Sequence, residues 1–229
     1  MVDGLLNRIK RKLMKLRLHT IRVYCLHHVC ATFDAESMNA CDWMKIDEFK
    51  QKVAAMRQDG VEFISLTDAY RHICEDWIRS KKYAVLTFDD GYASLKEILP
   101  WLEEQHIPAT LFVNGKYLDG KSYRKNPKEK YLTKDELWAS ASPLIEIGHH
   151  GWEHIRVTEQ TRVDFEESVR LNVDLLSKHP RYVPFWAYTY GEHTKASDEC
   201  LQTQSIVPVY VEGLKNYCES NVIHRELMN

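Results

Sequence analysis

The chain of 229 residues has no apolar run approaching 18 residues, so no segment is expected to cross a membrane as a helix. Its six cysteines (Cys25, Cys30, Cys41, Cys74, Cys200 and Cys218) include no C-x-x-C pair, which argues against a zinc ribbon or a thioredoxin-like redox site. Nine glycines and seven prolines are too few for a collagen-like or low-complexity chain. Neither charge dominates: 31 Lys+Arg against 33 Asp+Glu leave −2, with no global field to draw nucleic acid. No long Pro/Gly/Ser-rich linker and no internal repeat divides the sequence. The N-terminus is basic but lacks the apolar core of a secretory signal, so a cytoplasmic location is expected. The cysteines are expected to be mostly reduced, buried thiols.

What is present is enough apolar sequence, 44% of residues, for one large core. Residues 1–20 read as a basic amphipathic arm ahead of a single domain, 21–229. Within residues 5–18, LLNRIKRKLMKLRL, the residues Leu5, Leu6, Ile9, Leu13 and Leu16 recur at helical spacing among six cations. That stripe can pack on the domain, or it can make a peripheral contact with the inner face of an anionic membrane. A nucleic-acid arm would want stacking aromatics, which residues 5–18 lack.

Beyond the arm, strand-like and helix-like segments alternate. Ile21–Leu26 reads as a strand, 46–59 as a helix ended by Gly60, 62–65 as a strand and 66–78 as a helix. Tyr83–Phe88 (YAVLTF) and Ala109–Val113 (ATLFV) are unbroken apolar runs, the mark of strands buried on both faces. Residues 95–105 read as helical despite Pro100, and 114–131 as a long surface loop. Thr133 fits a helix N-cap with Glu136 three residues on. A strand at 145–148 and a helix at 163–179 follow, and 185–188, 205–211 and 221–224 are late strands. This alternation predicts an α/β fold with a parallel sheet, open or closed. Both forms place chemistry at the carboxyl ends of strands, which directs attention to the residues after YAVLTF, IEIG and FWAY.

Asp89-Asp90-Gly91 follows YAVLTF. Two adjacent carboxylates at a strand end are costly unless they share a cation, although one of them capping a turn is the commoner use of such a triplet. His150 and His154 follow IEIG. On a helical turn, residues four apart share a face, so both imidazoles could reach one ion. Eleven histidines in 229 residues give about 0.5 such pairs by chance, so position carries more weight than spacing. Two His and one Asp are three ligands with an open position, the count of a catalytic rather than a structural metal site. His149 beside them reads as a supporting residue around the metal. Trp152 reads as a core anchor or a sugar-stacking face. Residues 185–191, FWAYTYG, read as a buried strand entering a turn, or as a groove wall facing a sugar.

Together these residues resemble the NodB-homology polysaccharide deacetylases, carbohydrate esterase family four. Thr87-Phe88-Asp89-Asp90-Gly91 is similar to the first signature of that family. Glu146-Ile147-Gly148 with His150-Gly151-Trp152-Glu153-His154 resembles the second, and Ala187-Tyr188-Thr189-Tyr190-Gly191 the third. Leu26-His27-His28-Val29 resembles a Tyr-His element at the first strand of many members, and Arg225 a late arginine seen in some. The resemblance covers roughly residues 21–225. It implies a distorted (β/α) barrel, probably of seven strands. It implies a divalent metal, zinc before cobalt or nickel, on Asp90, His150 and His154. It implies Asp89 as general base toward the attacking water, the Tyr190 backbone N–H as oxyanion donor, and acetate with a free amino sugar as products. For the catalytic acid it offers His224 or His193. The implied substrate is a carbohydrate bearing N-acetyl groups: a GlcNAc-type polysaccharide, oligosaccharide or glycan precursor. Two other functions stay open at this point. One is a metal-independent hydrolase of non-peptide C–N bonds on the same scaffold; the other is a decayed carbohydrate-binding protein.

Overall fold

The computed structural model describes residues 21–75, 81–122, 126, 128–139, 142–211, 216 and 222–228; the basic arm at 1–20 and Cys218 lie outside them. Ten strands and six helices are formed there. The strands are β1 (Ile21–Leu26), β2 (His28–Cys30), β3 (Trp43–Lys45), β4 (Val61–Phe63), β5 (Lys82–Phe88), β6 (Ala109–Val113), β7 (Ile145–His149), β8 (Tyr182–Ala187), β9 (Val207–Val211) and β10 (Ile223–Leu227). The helices are α1 (Ile46–Gln58), α2 (Leu66–Glu75), α3 (Leu99–Glu104), α4 (Lys134–Ala139), α5 (Arg162–Leu176) and α6 (Lys195–Thr203).

Seven strands close into a parallel ring in the order β1-β5-β6-β7-β8-β9-β10, with β10 returning to β1. This is the distorted seven-stranded (β/α) barrel that the motifs implied. Two features distort it. The β7–β8 register slips between Ile147↔Tyr182 and His149↔Trp186, and β10 meets β1 through two residue pairs, Tyr24↔Glu226 and Cys25↔Leu227. The strand read at 62–65 forms as β4, but it pairs with the first residues of β5 outside the ring. β2 and β3 make a separate parallel pair.

The period of two along each strand divides the apolar residues between two cores. Outward-facing Leu86, Phe88, Leu111, Ile145 and Ile147 pack with Phe49 and Val53 of α1 and with Leu99 and Leu102 of α3. On the far side Trp186 and Tyr188 pack with Phe165 and Val169 of α5 and Leu201 of α6. Inward-facing Val23, Val85, Phe112, Phe185, Ala187, Val209 and Ile223 fill the lower barrel, which is plugged by Leu66, Ala69 and Ile73 of α2. Tyr70 of α2 stands edge-on to Phe185 at 5.6 Å. The plug is tied by Glu146, an inward residue of β7. Its carboxyl group accepts from the Leu66 N–H at 3.1 Å, from the Thr67 N–H and from Thr110 Oγ1 at 3.0 Å. A carboxyl group within the barrel thus satisfies the otherwise orphaned first amides of a helix.

Several boundaries differ from expectation. Pro100 does not interrupt a helix at 95–105: a 3-10 turn at Ala93–Glu97 comes first, and the proline opens α3, where its missing N–H costs nothing. The segment 114–131 is no simple surface loop. Asn114, Gly115, Tyr117 and Leu118 are buried, and Tyr117 and Tyr131 pack against Tyr92. Thr133 does cap α4, exchanging hydrogen bonds with Glu136. The five described cysteines are free thiols, of which Cys41 and Cys74 are exposed rather than buried. Among the described residues no helix is long and apolar enough to cross a membrane.

Glu146→Ala strips the plug of its acceptor and is expected to lower unfolding stability by about 2 kcal/mol or more, whereas Glu146→Gln keeps an acceptor and loses less than half as much. Urea denaturation of the two variants measures this; equal losses would show that the carboxyl group merely fills space.

Candidate active site

Three strands deliver the predicted residues to one end of the barrel. β5 runs into Asp89 and Asp90, β7 into His150, and β8 into the turn at Thr189–Gly191. Asp90 (φ 71°) and Gly91 (φ 74°) both adopt the left-handed conformation. A Cβ on Gly91 would stand 2.9 Å from Val113 Cγ1, so this turn needs glycine. Asp90, His150 and His154 are all buried there. His154 Nε2 lies 3.0 Å and His150 Nε2 3.4 Å from the same Asp90 Oδ1. His150 Nδ1 sits 2.9 Å from the Ala187 carbonyl oxygen, which can only accept. The ring proton is therefore on Nδ1, and Nε2 offers its lone pair to the centre of the site.

One ligand atom from each of Asp90, His150 and His154 lies within 4.8 Å of the others. Two imidazole nitrogens and one carboxylate oxygen, with a backbone carbonyl fixing one tautomer, fit a divalent transition metal that keeps positions open. The two histidines are not carried on a helical turn, as their spacing had suggested. Gly151 (φ 80°) and His154 (φ 55°) bend the chain into a loop that brings the rings to 5.0 Å.

Asp89 meets its own cation. Arg225 of β10, 1% exposed, donates from Nη1 to Asp89 Oδ1 at 2.6 Å and from Nη2 to Oδ2 at 2.8 Å. Burial alone would raise the Asp89 pKa. The Arg225 guanidinium outweighs it, with His150 and His27 adding to the effect, and holds the carboxyl at about 2. The adjacent carboxylates thus do not share one ion: Asp89 takes the guanidinium and Asp90 takes the two histidines. Arg225 also donates to Thr87 Oγ1, which in turn donates to the Tyr24 carbonyl.

The other predicted residues fall in four places. Tyr190 (φ 58°) stands at the mouth, 55% exposed; its ring is 4.7 Å from that of His154 and is covered on one face by the Arg156 guanidinium at 3.8 Å. His193 and His224 converge on Tyr210, at ring distances of 3.9 and 5.6 Å, and His193 Nδ1 lies 3.3 Å from Asp198. Alternation explains His224: its neighbour Arg225 faces the barrel interior, so His224 faces out. His149 likewise faces away from the metal residues. Its ring stacks on Trp186 at 5.4 Å and its Nε2 meets the Tyr182 hydroxyl at 3.1 Å, while burial pulls its pKa down to about 3, leaving it neutral. Trp152 is partly buried over Gly115, in keeping with an anchor, and lines a cavity of about 310 Å³ with Phe165 and Trp186.

Three residues at the site were not assigned roles from the sequence. Arg225 was seen only as a late arginine. His27 follows β1 and brings a ring nitrogen within 4.8 Å of an Asp89 oxygen. Asn114 follows β6 and is fully buried; its amide donates to the carbonyl oxygens of His150 and, at 3.2 Å, Gly151, holding the loop that carries both histidines. Each stands at or near a strand's carboxyl end, which is the signal that could have found them.

Residues 78–206 match the polysaccharide deacetylase family, and the chain belongs to that family. Among curated sequences, YxkH of Bacillus subtilis (strain 168), named for the same family, is 22% identical over 157 residues. That alignment takes in 66% of this chain and 53% of YxkH, so the chain spans about half the length of the curated relative it matches. Among solved structures, IcaB from Ammonifex degensii superposes with a TM-score of 0.72 at 21% identity, covering 92% of each chain. A de-N-acetylase from Aggregatibacter actinomycetemcomitans gives 0.73 at 16% identity, over 91% of this chain and 95% of that one. The deacetylase PplD of Streptococcus pyogenes, solved with acetate, gives 0.70 at 18%, over 89% and 91%. These similarities establish the barrel shared with such enzymes.

Arg225→Met leaves the buried Asp89 carboxylate uncompensated and is expected to cost about 3–5 kcal/mol of stability, most of it recovered in the Arg225→Met/Asp89→Asn double variant. Chemical denaturation of the wild type, both single variants and the double variant measures the coupling; simple additivity would contradict the pairing.

Proposed function

We propose that the chain is a metal-dependent N-deacetylase that removes acetyl groups from a GlcNAc-type glycan or glycan precursor. The observation that carries this reading is the meeting of Asp90, His150 and His154 at the barrel mouth, one residue from a carboxylate held ionised by Arg225. Family membership and the barrel shared with deacetylases support the same reaction class. The donors suit zinc, and cobalt or nickel can take the same set. A divalent metal held there supplies a Lewis acid for the acetamide carbonyl and acidifies water.

The remaining steps fall to the protein. Asp89 takes the proton of the attacking water; its low pKa keeps it in the basic form, and the Arg225 fork fixes its plane. The Tyr190 backbone N–H, presented by its left-handed turn, donates to the oxyanion as the carbonyl becomes tetrahedral. His27, half-buried beside Asp89, gives a proton to the departing amine, the role for which the sequence offered His193 or His224. Bond cleavage leaves acetate and a free amino sugar. The exposed Tyr190 ring at the mouth suits the apolar face of a pyranose.

Acetate release from N-acetylglucosamine oligomers, measured with metal content, tests the assignment. Asp89→Asn is expected to retain metal and lose about 10³-fold in turnover, and His27→Ala to lose about 10²-fold in kcat with little change in KM. His193→Ala and His224→Ala are expected to stay near wild type. A larger loss in either than in His27→Ala would return the acid role to that residue, and absence of acetate release from metal-loaded wild type would refute the proposed activity.

A further inference from the structure

Asp89 belongs to a second cluster of metal-binding groups that shares no residue with Asp90, His150 and His154. Cys25 Sγ lies 3.5 Å from Asp89 Oδ2. Cys25 Sγ, a His27 ring nitrogen and an Asp89 carboxylate oxygen all lie within 4.8 Å of one another. The spacing has a simple origin. β1 runs beside β5 in parallel register, Cys25 opposite Thr87 and Leu26 opposite Phe88. Side chains alternate, so Cys25 and His27 point to the same face, toward the end of β5 where Asp89 stands. Cys25 and Asp89 are each 3% exposed, and a cavity of about 160 Å³ lined by Cys25, His27, His28, Cys41 and Trp43 reaches Cys25 and His27. Sulfur, imidazole and carboxylate form a donor set that zinc accepts.

We propose that Cys25, His27 and Asp89 form a second zinc site, weaker than the first, that fills only when the ion is in excess. Its weakness follows from the surroundings. Arg225 already holds Asp89 and repels a further cation. Burial also pushes the Cys25 thiol up, so binding must expel that proton to water as the sulfur–metal bond forms. Occupancy would take both the base and the acid out of service, making excess zinc an inhibitor. That consequence rests on the deacetylase reading; the binding itself does not.

The full-length protein is loaded with one equivalent of zinc and then titrated with cobalt, which competes poorly for a site zinc already holds. The expected result is a near-ultraviolet thiolate-to-cobalt charge-transfer band that saturates at one further equivalent. The band is absent in Cys25→Ser, and its midpoint shifts by more than about a hundredfold in His27→Ala, beyond the range that loss of an outer partner commonly costs. It persists in His154→Ala titrated with cobalt alone, because that variant weakens the first site and leaves Cys25, His27 and Asp89 intact. No band in the wild type, a band that survives Cys25→Ser, or a midpoint shift in His27→Ala of about a hundredfold or less would each overturn the proposal. Acetate release followed in the same titration separates the two ideas. A band without deacetylation at any metal level condemns the activity and leaves the site standing; deacetylation without a band does the reverse.

Discussion

The ion pair between Asp89 and Arg225 is the interaction on which the rest of this structure turns. It joins β5 to β10 across the intervening β1, at the seam where β10 and β1 share two residue pairs. The contact that helps close the barrel therefore also fixes the charge and orientation of the proposed base. Removing two charges from water costs several kcal/mol each, and a well-packed apolar pair would close a barrel at least as well. A buried fork of this kind points to chemistry rather than to stability. It also separates the roles of two neighbouring carboxylates, since Asp89 is spoken for by the guanidinium while Asp90 is left to the histidines.

Backbone strain is gathered at the same end of the molecule. Among the described residues five other than glycine have positive φ, and Asp90, His154 and Tyr190 are three of them. Each of these conformations costs of order 1–3 kcal/mol and persists only where its surroundings over-determine it. The surroundings do so here. Asn114 holds the carbonyl groups that precede the His154 turn, Thr189 Oγ1 donates to the Ile155 carbonyl at 2.7 Å, and the Arg156–Glu192 ion pair links the two motif loops. The lower barrel, with its apolar layers and α2 plug, is the rigid base against which these loops are held.

Much of this could be read from the sequence, for identifiable reasons. YAVLTF and ATLFV are buried on both faces, so their apolar character is continuous and their strands were plain. The TFDDG and HGWEH segments join unusual residue types at strand ends, which made the proposed metal ligands and Asp89 legible. What escaped depends on direction and on long-range partners. His224 and His149 looked suitable by type and position, but strand alternation turns both away from the barrel mouth. Arg225 is 136 residues from Asp89, and no local pattern announces a partner so distant. The helical reading of the histidine pair failed because Gly151 and His154 take left-handed angles, which composition does not show. The supposed loop after β6 is partly buried because Tyr117 and Tyr131 pack together with Tyr92, a tertiary event with no period to detect.

In the proposed site Asp90, His150 and His154 together hold one divalent ion. X-ray absorption at the zinc edge, on protein loaded with one equivalent, examines it most directly. The expected first shell is nitrogen and oxygen with the scattering pattern of two imidazoles, falling to one in His154→Ala. A sulfur-containing first shell in the wild type, or a shell unchanged in His154→Ala, would contradict it.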